Sequence, residues 1–280
     1  MVATPIGNLA DITLRALHVL NLVDAVACED TRHTSALLSH YGIHRHLLAV
    51  HQHNEREAGQ LVLARLAAGE RVAYVSDAGT PAISDPGARL VAAARDAGHG
   101  VMPVPGVSSA TAALSVAGDA GEGGFRFAGF LPSRARELAE AVQALAARDE
   151  AQVLFEAPHR IEALARALAS ACPGRRITVG RELTKQFEDI ANMSCAEFPA
   201  WLVEDAHRRK GEFVLVLHAQ LAEAGASDVM ARAEPVLRAL MQALALKQAV
   251  NLAAQLTGAP RNPLYERALA LRQEAKGDDA

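Results

Sequence analysis

The sequence predicts an α/β fold: two α/β domains followed by a small helical module. Three observations predict it. Over residues 1–117, short apolar runs alternate with stretches of helical spacing. A Gly-rich stretch, Gly118–Gly124 (GDAGEGG), interrupts the alternation and reads as a linker, after which strands and helices resume over residues 125–221. From 228 to 276 no strand signal occurs at all.

In the first domain, strands are expected at Val2–Ala3, Asp24–Cys28, Leu47–Val50, Val72–Val75 and Val101–Val104. Helices are expected at Asp11–Leu20, Thr31–His40, Asn54–Ala68, Pro86–Ala97 and Ser108–Ala117. Five βα units of this length predict a parallel sheet with helices on both faces. The first strand is short, because only Met1–Ala3 precede the turn Thr4–Leu9, whereas buried strands usually run about 5–6 residues. This predicts either a native start upstream of Met1 or a truncated sheet edge. In the second domain, strands are expected at Phe125–Phe130, Gln152–Phe155, Ile177–Arg181 and Glu212–Leu217. Helices fall at Ser133–Ala147, His159–Ala171 and Cys195–His207. The last module contains a helix, a turn at Gly258–Asn262 and a second helix, with Ala254, Gly258 and Leu264 at the small, turn and apolar positions of a helix-turn-helix.

Composition bounds the function. The 280 residues are 50% hydrophobic, 21% charged and 4% aromatic, which excludes disorder and collagen-like repetition. No apolar run approaches the ~18–20 residues that span a bilayer, and no signal peptide is legible, so a cytoplasmic protein with no membrane partner is expected. Three cysteines, Cys28, Cys172 and Cys195, form neither a CxxC site nor an obvious disulfide framework. The net charge of −4 argues against nucleic acid, but its distribution does not. From Arg232 to Lys276 there are seven Lys/Arg against three Asp/Glu, a local charge of +4.

Ligands of a parallel sheet bind beyond the carboxyl ends of its strands. Three loops there combine Gly, Pro and hydrogen-bonding side chains: TPIGN (Thr4–Asn8), SDAGTPAISDPG (Ser76–Gly87) and PVPGVSS (Pro103–Ser109). None matches a dinucleotide or P-loop fingerprint. A fourth cluster, CEDTRHT (Cys28–Thr34), places Glu29, Asp30, Arg32 and His33 where the second strand ends, as proton carriers and substrate contacts or as an N-capped helix with a surface ion pair. Five histidines lie between His40 and His53, but their spacing lacks HExxH and any nearby cysteine, so no metal is expected; the run His51–Glu55 suits a capping or substrate-facing role. In the second domain, FEAPHRI (Phe155–Ile161), RELTKQFED (Arg181–Asp189) and RRKGE (Arg208–Glu212) are polar and basic. Two of them fall at strand ends, predicting a cation-lined cleft between the domains.

In order, TPIGNLADIT, EDTRHT, SDAGTPAISDPG, PGVSSA, GFLP, PHR, RELTKQFE and KGEFVLV closely resemble the tetrapyrrole-methylase-like enzymes that methylate small-subunit ribosomal RNA. The resemblance runs from Val2 to about Leu217, and the C-terminal helices fit the helical domain that ends that group. The departures are the clipped first strand and Ala157, where the group often has Ser. The resemblance implies two α/β domains with S-adenosylmethionine between them, a homodimer, and 2′-O-methylation of a cytidine ribose in 16S ribosomal RNA, within the assembled 30S subunit. It places the cofactor against Pro5, Ile6, Ala78, Gly79, Thr80, Ser108, Ser109 and Phe155, with Asp77 serving either cofactor or proton. Candidate catalytic groups are Glu29, Asp30, His33, Glu182 and Lys185; Arg32, Arg160, Arg181 and Lys185 are candidates to hold RNA phosphates. Two other readings stand beside it: a corrin C-methyltransferase on the same fold, and a non-catalytic RNA-binding assembly factor.

Overall fold

A computed structural model describes residues 1–280 apart from 52–53, 85–86, 122–123, 221–225 and 278–280. Two compact units are present, Met1–Gln220 and Leu221–Ala280.

The first unit begins with α1 (Leu14–Leu22), capped by the Thr13 hydroxyl, which accepts the Ala16 N–H. There follow β1 (Ala25–Cys28), α2 (Thr31–His40), β2 (His46–Ala49), α3 (Glu55–Ala67), β3 (Val72–Val75), α4 (Ala88–Asp96) and α5 (Ser109–Ala117). The sheet is parallel, in order β2-β1-β3, and β1 is buried along its whole length. Val26 and Cys28 pack with Ala16 and Leu20 on one face, while Ala27 and Tyr74 pack with Val62 and Leu90 on the other. Alternate side chains thus feed two cores, as the near-continuous apolar strands require.

The expectation of five strands in this sheet is corrected. Val2 and Val104 form only an isolated parallel bridge, although the Val2 N–H donates to Tyr74 O at 2.8 Å and so extends the order beyond β3. Thr4 already turns to bridge Gly79, and Pro103 and Pro105 flank Val104 without N–H groups, so neither segment can lengthen its ladder. The expected helix start at Pro86, and Gln52 and His53 of the histidine run, lie outside the described residues. Beside them, the Asn54 side chain accepts the His51 N–H and donates to Ala49 O, tying the turn to β2 rather than capping α3.

The second half carries β4 (Phe125–Phe130), α6 (Ala135–Ala146), β5 (Ala151–Glu156), α7 (Ile161–Ala171), β6 (Arg176–Arg181), β7 (Asp189–Ser194), α8 (Phe198–Glu204) and β8 (Phe213–Leu217). Its sheet runs β4-β5-β8-β6-β7, parallel only between β4 and β5. Strand β7 was not expected: DIANMS is too polar to read as a buried strand, yet it pairs with β6 along its length at a sheet edge. The helix expected over 195–207 shortens to α8 and a 3₁₀ turn at Ala206–Arg209. Glu197 accepts the Ser194 N–H and holds the chain in a turn before α8, and Asp205 caps the 3₁₀ turn through the His207 N–H.

Helices α6, α7 and α8 cover one face of this sheet through Val142, Leu164, Leu168, Phe198 and Leu202. The other face receives α5, whose Ala110, Ala113 and Ala117 pack on Val153, Val214 and Val216. The small side chains of α5 admit the close approach that joins the two halves. Gly118 closes α5 in the left-handed conformation, and Asp119 accepts the Ala219 N–H at 3.1 Å. Gly118 and Asp119, the first two residues of the stretch whose composition predicts a loose linker, are thereby held to α5 and to the end of β8. Cys172 and Cys195, distant in sequence, are buried thiols with sulfurs 3.9 Å apart.

The second unit comprises α9 (Ala226–Ala243), α10 (Leu246–Thr257) and α11 (Arg261–Gly277), the last two separated by a turn that begins at a left-handed Gly258. Leu237, Val250, Ala253, Leu264 and Ala268 form its core. Glu234 on α9 receives Arg238 at 2.8 Å and Arg267 of α11 at 2.8 Å. Among the described residues no helix is long and apolar enough to cross a membrane.

Candidate functional site

The loops at the carboxyl end of the first sheet are laced together by backbone. Thr4 and Gly79 exchange N–H···O bonds at 3.0 Å in both directions, and the Thr80 hydroxyl donates to Val107 O at 3.0 Å. Gly79 holds φ +78°, and a Cβ there would come within 3.2 Å of the Ile6 side chain. Glycine is thus required both by the dihedral and by the packing of the first loop on the second.

These loops, with the ends of β4, β5 and β8, enclose a cavity of about 350 Å³. Ile6, Ala78, Gly79, Thr80, Ser108, Ser109 and Phe155 line it, seven of the nine residues expected to hold the cofactor. Pro5 and Asp77 do not. Pro5 is buried behind the first loop, and Asp77 accepts the Asp30 N–H at 3.2 Å, joining the SDAGTP and EDTRHT loops instead. The Ser108 side chain makes no capping bond to α5, and Ser108 and Ser109 bring the N-terminus of that helix to the cavity wall.

Of the five candidate catalytic residues, only Lys185 reaches the cavity wall. Its ammonium bridges Glu182 at 2.9 Å and Glu212 at 2.7 Å. Burial alone would lower the Lys185 pKa, but the bonds to Glu212 and Glu182 reverse this and hold it above its ordinary value. Burial likewise works against the Glu182 carboxylate, and Lys185 with the Glu212 N–H outweighs it, leaving its pKa lowered. Both groups are ionised at neutral pH, so Lys185 presents a fixed positive charge rather than a proton-accepting amine. The loop is built for this contact. Glu182 and Thr184 hold positive φ (51° and 66°), and a Cβ on Gly7 would meet the Lys185 stem at 2.3 Å.

The EDTRHT cluster is arranged differently from the expectation. The Asp30 carboxylate caps α2 through the Arg32 and His33 N–H groups and receives the Arg32 guanidinium at 2.8 Å. These bonds, the Arg32 side chain first, hold Asp30 well below the usual carboxylate range, and its oxygens are committed. Arg32 itself is 90% exposed and His33 is exposed, while Glu29 is half-buried. Arg160 and Arg181 also serve the fold. Arg160 donates to Leu131 O and Pro132 O and pairs with the buried Glu156 at 3.1 Å. Arg181 donates to Phe187 O at 2.8 Å and to Lys210 O at 3.4 Å. The expected cation-lined cleft is thereby corrected: the described lining carries one cation, Lys185, and two carboxylates, Glu156 and Glu212.

The cavity also uses residues that were not singled out: Ile83 and Ser84, Phe130, Leu183, and Glu212 to Val214. Each lies within a motif quoted above, so motif membership was the available signal, and side-chain direction was what sequence could not supply. Among the described residues no cluster of His, Cys, Asp and Glu is arranged to hold a metal.

A profile of the tetrapyrrole (corrin/porphyrin) methylases matches residues 1–199, and one of the RsmI C-terminal HTH domain matches residues 227–272. Ribosomal RNA small subunit methyltransferase I of Pseudomonas aeruginosa is 45% identical over 270 residues, which cover 96% of this chain and 95% of that protein. That of Escherichia coli O157:H7 is 44% identical over 270 residues, covering 96% and 93%. This chain belongs to the ribosomal RNA small subunit methyltransferase I family. It is a methyltransferase, and the family implies a methyl donor of the S-adenosylmethionine type. Solved structures carry the same fold. The methyltransferase CobJ has a TM-score of 0.58 at 18% identity over 78% of this chain and 93% of its own. Uroporphyrin-III C-methyltransferase of Thermus thermophilus has 0.55 at 22% over 77% and 91%. At such identities these neighbours share the fold alone. The family assignment rests on the 44–45% relatives and favours RNA over the corrin alternative.

Proposed function

We propose that this protein transfers a methyl group from S-adenosylmethionine to the 2′-hydroxyl of a cytidine ribose in 16S ribosomal RNA, acting as a cytoplasmic homodimer on the assembled 30S subunit. The observation that carries the reading is the convergence of seven expected cofactor residues and Lys185 on one cavity. The chemistry of the wall fits the cofactor. Apolar Ile6, Leu183 and Val214 with Phe155 suit a flat heterocycle, and Thr80, Ser108 and Ser109 offer hydroxyls. The uncapped α5 N-terminus suits a carboxylate. The cofactor, when bound, supplies an electrophilic methyl group on a sulfonium.

The ribose hydroxyl is a weak nucleophile until its proton is leaving. Lys185, charged and held at the wall, stabilises the oxygen as negative charge develops there, and orients it by hydrogen bonding. Glu182 and Glu212 hold the ammonium in place; Glu212, 78% exposed on its side chain, is also accessible to take up the departing proton. Exposed Arg32 is a phosphate contact on the first half, and the C-terminal segment, with its sequence charge of +4, is a second candidate for phosphate contact. The test is methyl transfer from labelled cofactor to purified small subunits and to naked RNA, with the modified nucleotide mapped. Label on a cytidine 2′-oxygen in the subunit supports the reading; label on a base carbon, or none, overturns it.

A further inference from the structure

Phe130 ends β4 at the cavity wall, yet its residue is 56% exposed. An exposed phenylalanine beside a ligand cavity forfeits the burial that normally justifies the side chain. Its direction is set by an unusual backbone. The β4/β5 register shifts between Phe127 and Gly129: Phe127 faces Val153, Gly129 faces Leu154 and Phe130 faces Phe155, leaving Ala128 as an extra residue. Gly129 adopts φ +64°, the conformation that accommodates such a bulge. Without the bulge, alternation would place Phe127 and Phe130 on opposite faces. With it, both rings meet Phe155, at 5.0 Å and 5.6 Å between centroids and both edge-to-face. Bulges are uncommon in parallel pairs, and this one turns a ring toward the site.

We propose that Phe130 is the stacking platform for the nucleobase whose ribose is methylated. The proposal rests on the RNA reading above and adds a specificity-determining contact to it. A ribose hydroxyl can be brought to Lys185 only if its nucleotide leaves the helical stack, and an unstacked base needs a replacement π surface. Phe130 offers one at the open edge of the cavity, braced by Phe155 and next to exposed Ile83. Stacking reads any base face, so this contact holds the nucleotide rather than naming it.

The experiment compares Phe130→Leu and Phe130→Trp with wild type in steady-state methylation of purified small subunits, alongside calorimetric titration of S-adenosylmethionine. Leucine fills the space without a π face; tryptophan restores one. The expected result is a KM for subunits raised about tenfold in F130L and near wild type in F130W, with cofactor Kd unchanged within twofold in both. Equal KM values for F130L and wild type would overturn the proposal. So would a tenfold rise in cofactor Kd with unchanged subunit KM, which would give the ring to the purine of the cofactor, or a shift from dimer to monomer in sedimentation, which would give it to a second copy. A wild-type protein that transfers no methyl to small subunits would instead refute the RNA reading itself.

Discussion

Lys185 is the residue on which the proposed chemistry turns, and removing its charge has separable consequences for stability and rate. In Lys185→Met the stem still packs on Gly7, but the ammonium that bridges Glu182 at 2.9 Å and Glu212 at 2.7 Å is lost. Glu212 is 78% exposed on its side chain, so its pair contributes only about 0–1 kcal/mol. Glu182 is 19% exposed, and a hydrogen bond to a charged group in such a place is worth about 1.5–3 kcal/mol. The variant should therefore unfold with about 2–3 kcal/mol less stability, roughly 5–10 °C in Tm for a unit of this size. The turnover number should fall further, by about 10²-fold, the usual loss when a charge-stabilising donor is removed. Because Lys185 is held above its ordinary pKa, it stays protonated through neutrality, and wild-type kcat should show no ionisation of this group between pH 7 and 9. Lys185→Arg, which keeps the charge, should recover part of the rate. Denaturant unfolding and single-turnover methylation read the two effects on the same preparation. A folded Lys185→Met enzyme that turns over within threefold of wild type would refute the role given to this charge.

Other predictions concern the frame of the site and the fold. Gly79→Ala must place a side chain at φ +78° with its Cβ 3.2 Å from Ile6; a loss of about 1–2 kcal/mol and a cofactor Kd raised about tenfold are expected by unfolding and calorimetry. Arg175 is buried and donates to His218 O, Leu145 O, Arg148 O and Glu150 O. Arg175→Met removes the guanidinium from all four; Leu145 O keeps the Gln152 side chain and the Arg148 N–H, whereas His218 O and Arg148 O lose a charged donor, so a cost of about 3 kcal/mol is expected in urea unfolding. Glu234, held at a pKa of about 2 chiefly by Arg267 and then by Arg238, stabilises the folded chain fully above its ordinary range near 4.5 and loses that contribution as pH falls through about 2. The stability gap between wild type and Glu234→Gln should accordingly narrow as urea titrations move from pH 5 toward pH 2, and a constant gap would contradict the assignment.

The sequence made the walls of this cavity legible because their determinants are backbone ones. Gly79, the Ser108–Ser109 pair and the TPIGN turn are short, rigid and placed at strand ends, where topology fixes their neighbourhood. Long side chains were not legible in the same way. Asp30, Arg160 and Arg181 have the chemistry of site residues, yet each is held by hydrogen bonds that stabilise a cap or a loop. Their residue types are the same in either role, and only geometry separates the two. Strand β7 escaped notice because an edge strand need not be apolar, and the first and last strands of the N-terminal sheet shrank to one bridge for want of residues and of N–H donors. Phe130 escaped because regular alternation would give it a different face; the bulge at Ala128 exists in the pairing with β5, which no local pattern records.

The most direct measurement of the central claim is single-turnover transfer of labelled methyl from S-adenosylmethionine to purified small ribosomal subunits, with the product mapped to the nucleotide and the atom, for wild type and Lys185→Met in parallel. Label is expected on the ribose 2′-oxygen of one cytidine with wild type, with about 10²-fold slower labelling at the same position with the variant. Label on a base carbon or spread over many nucleotides, or equal rates for the two proteins, would contradict it.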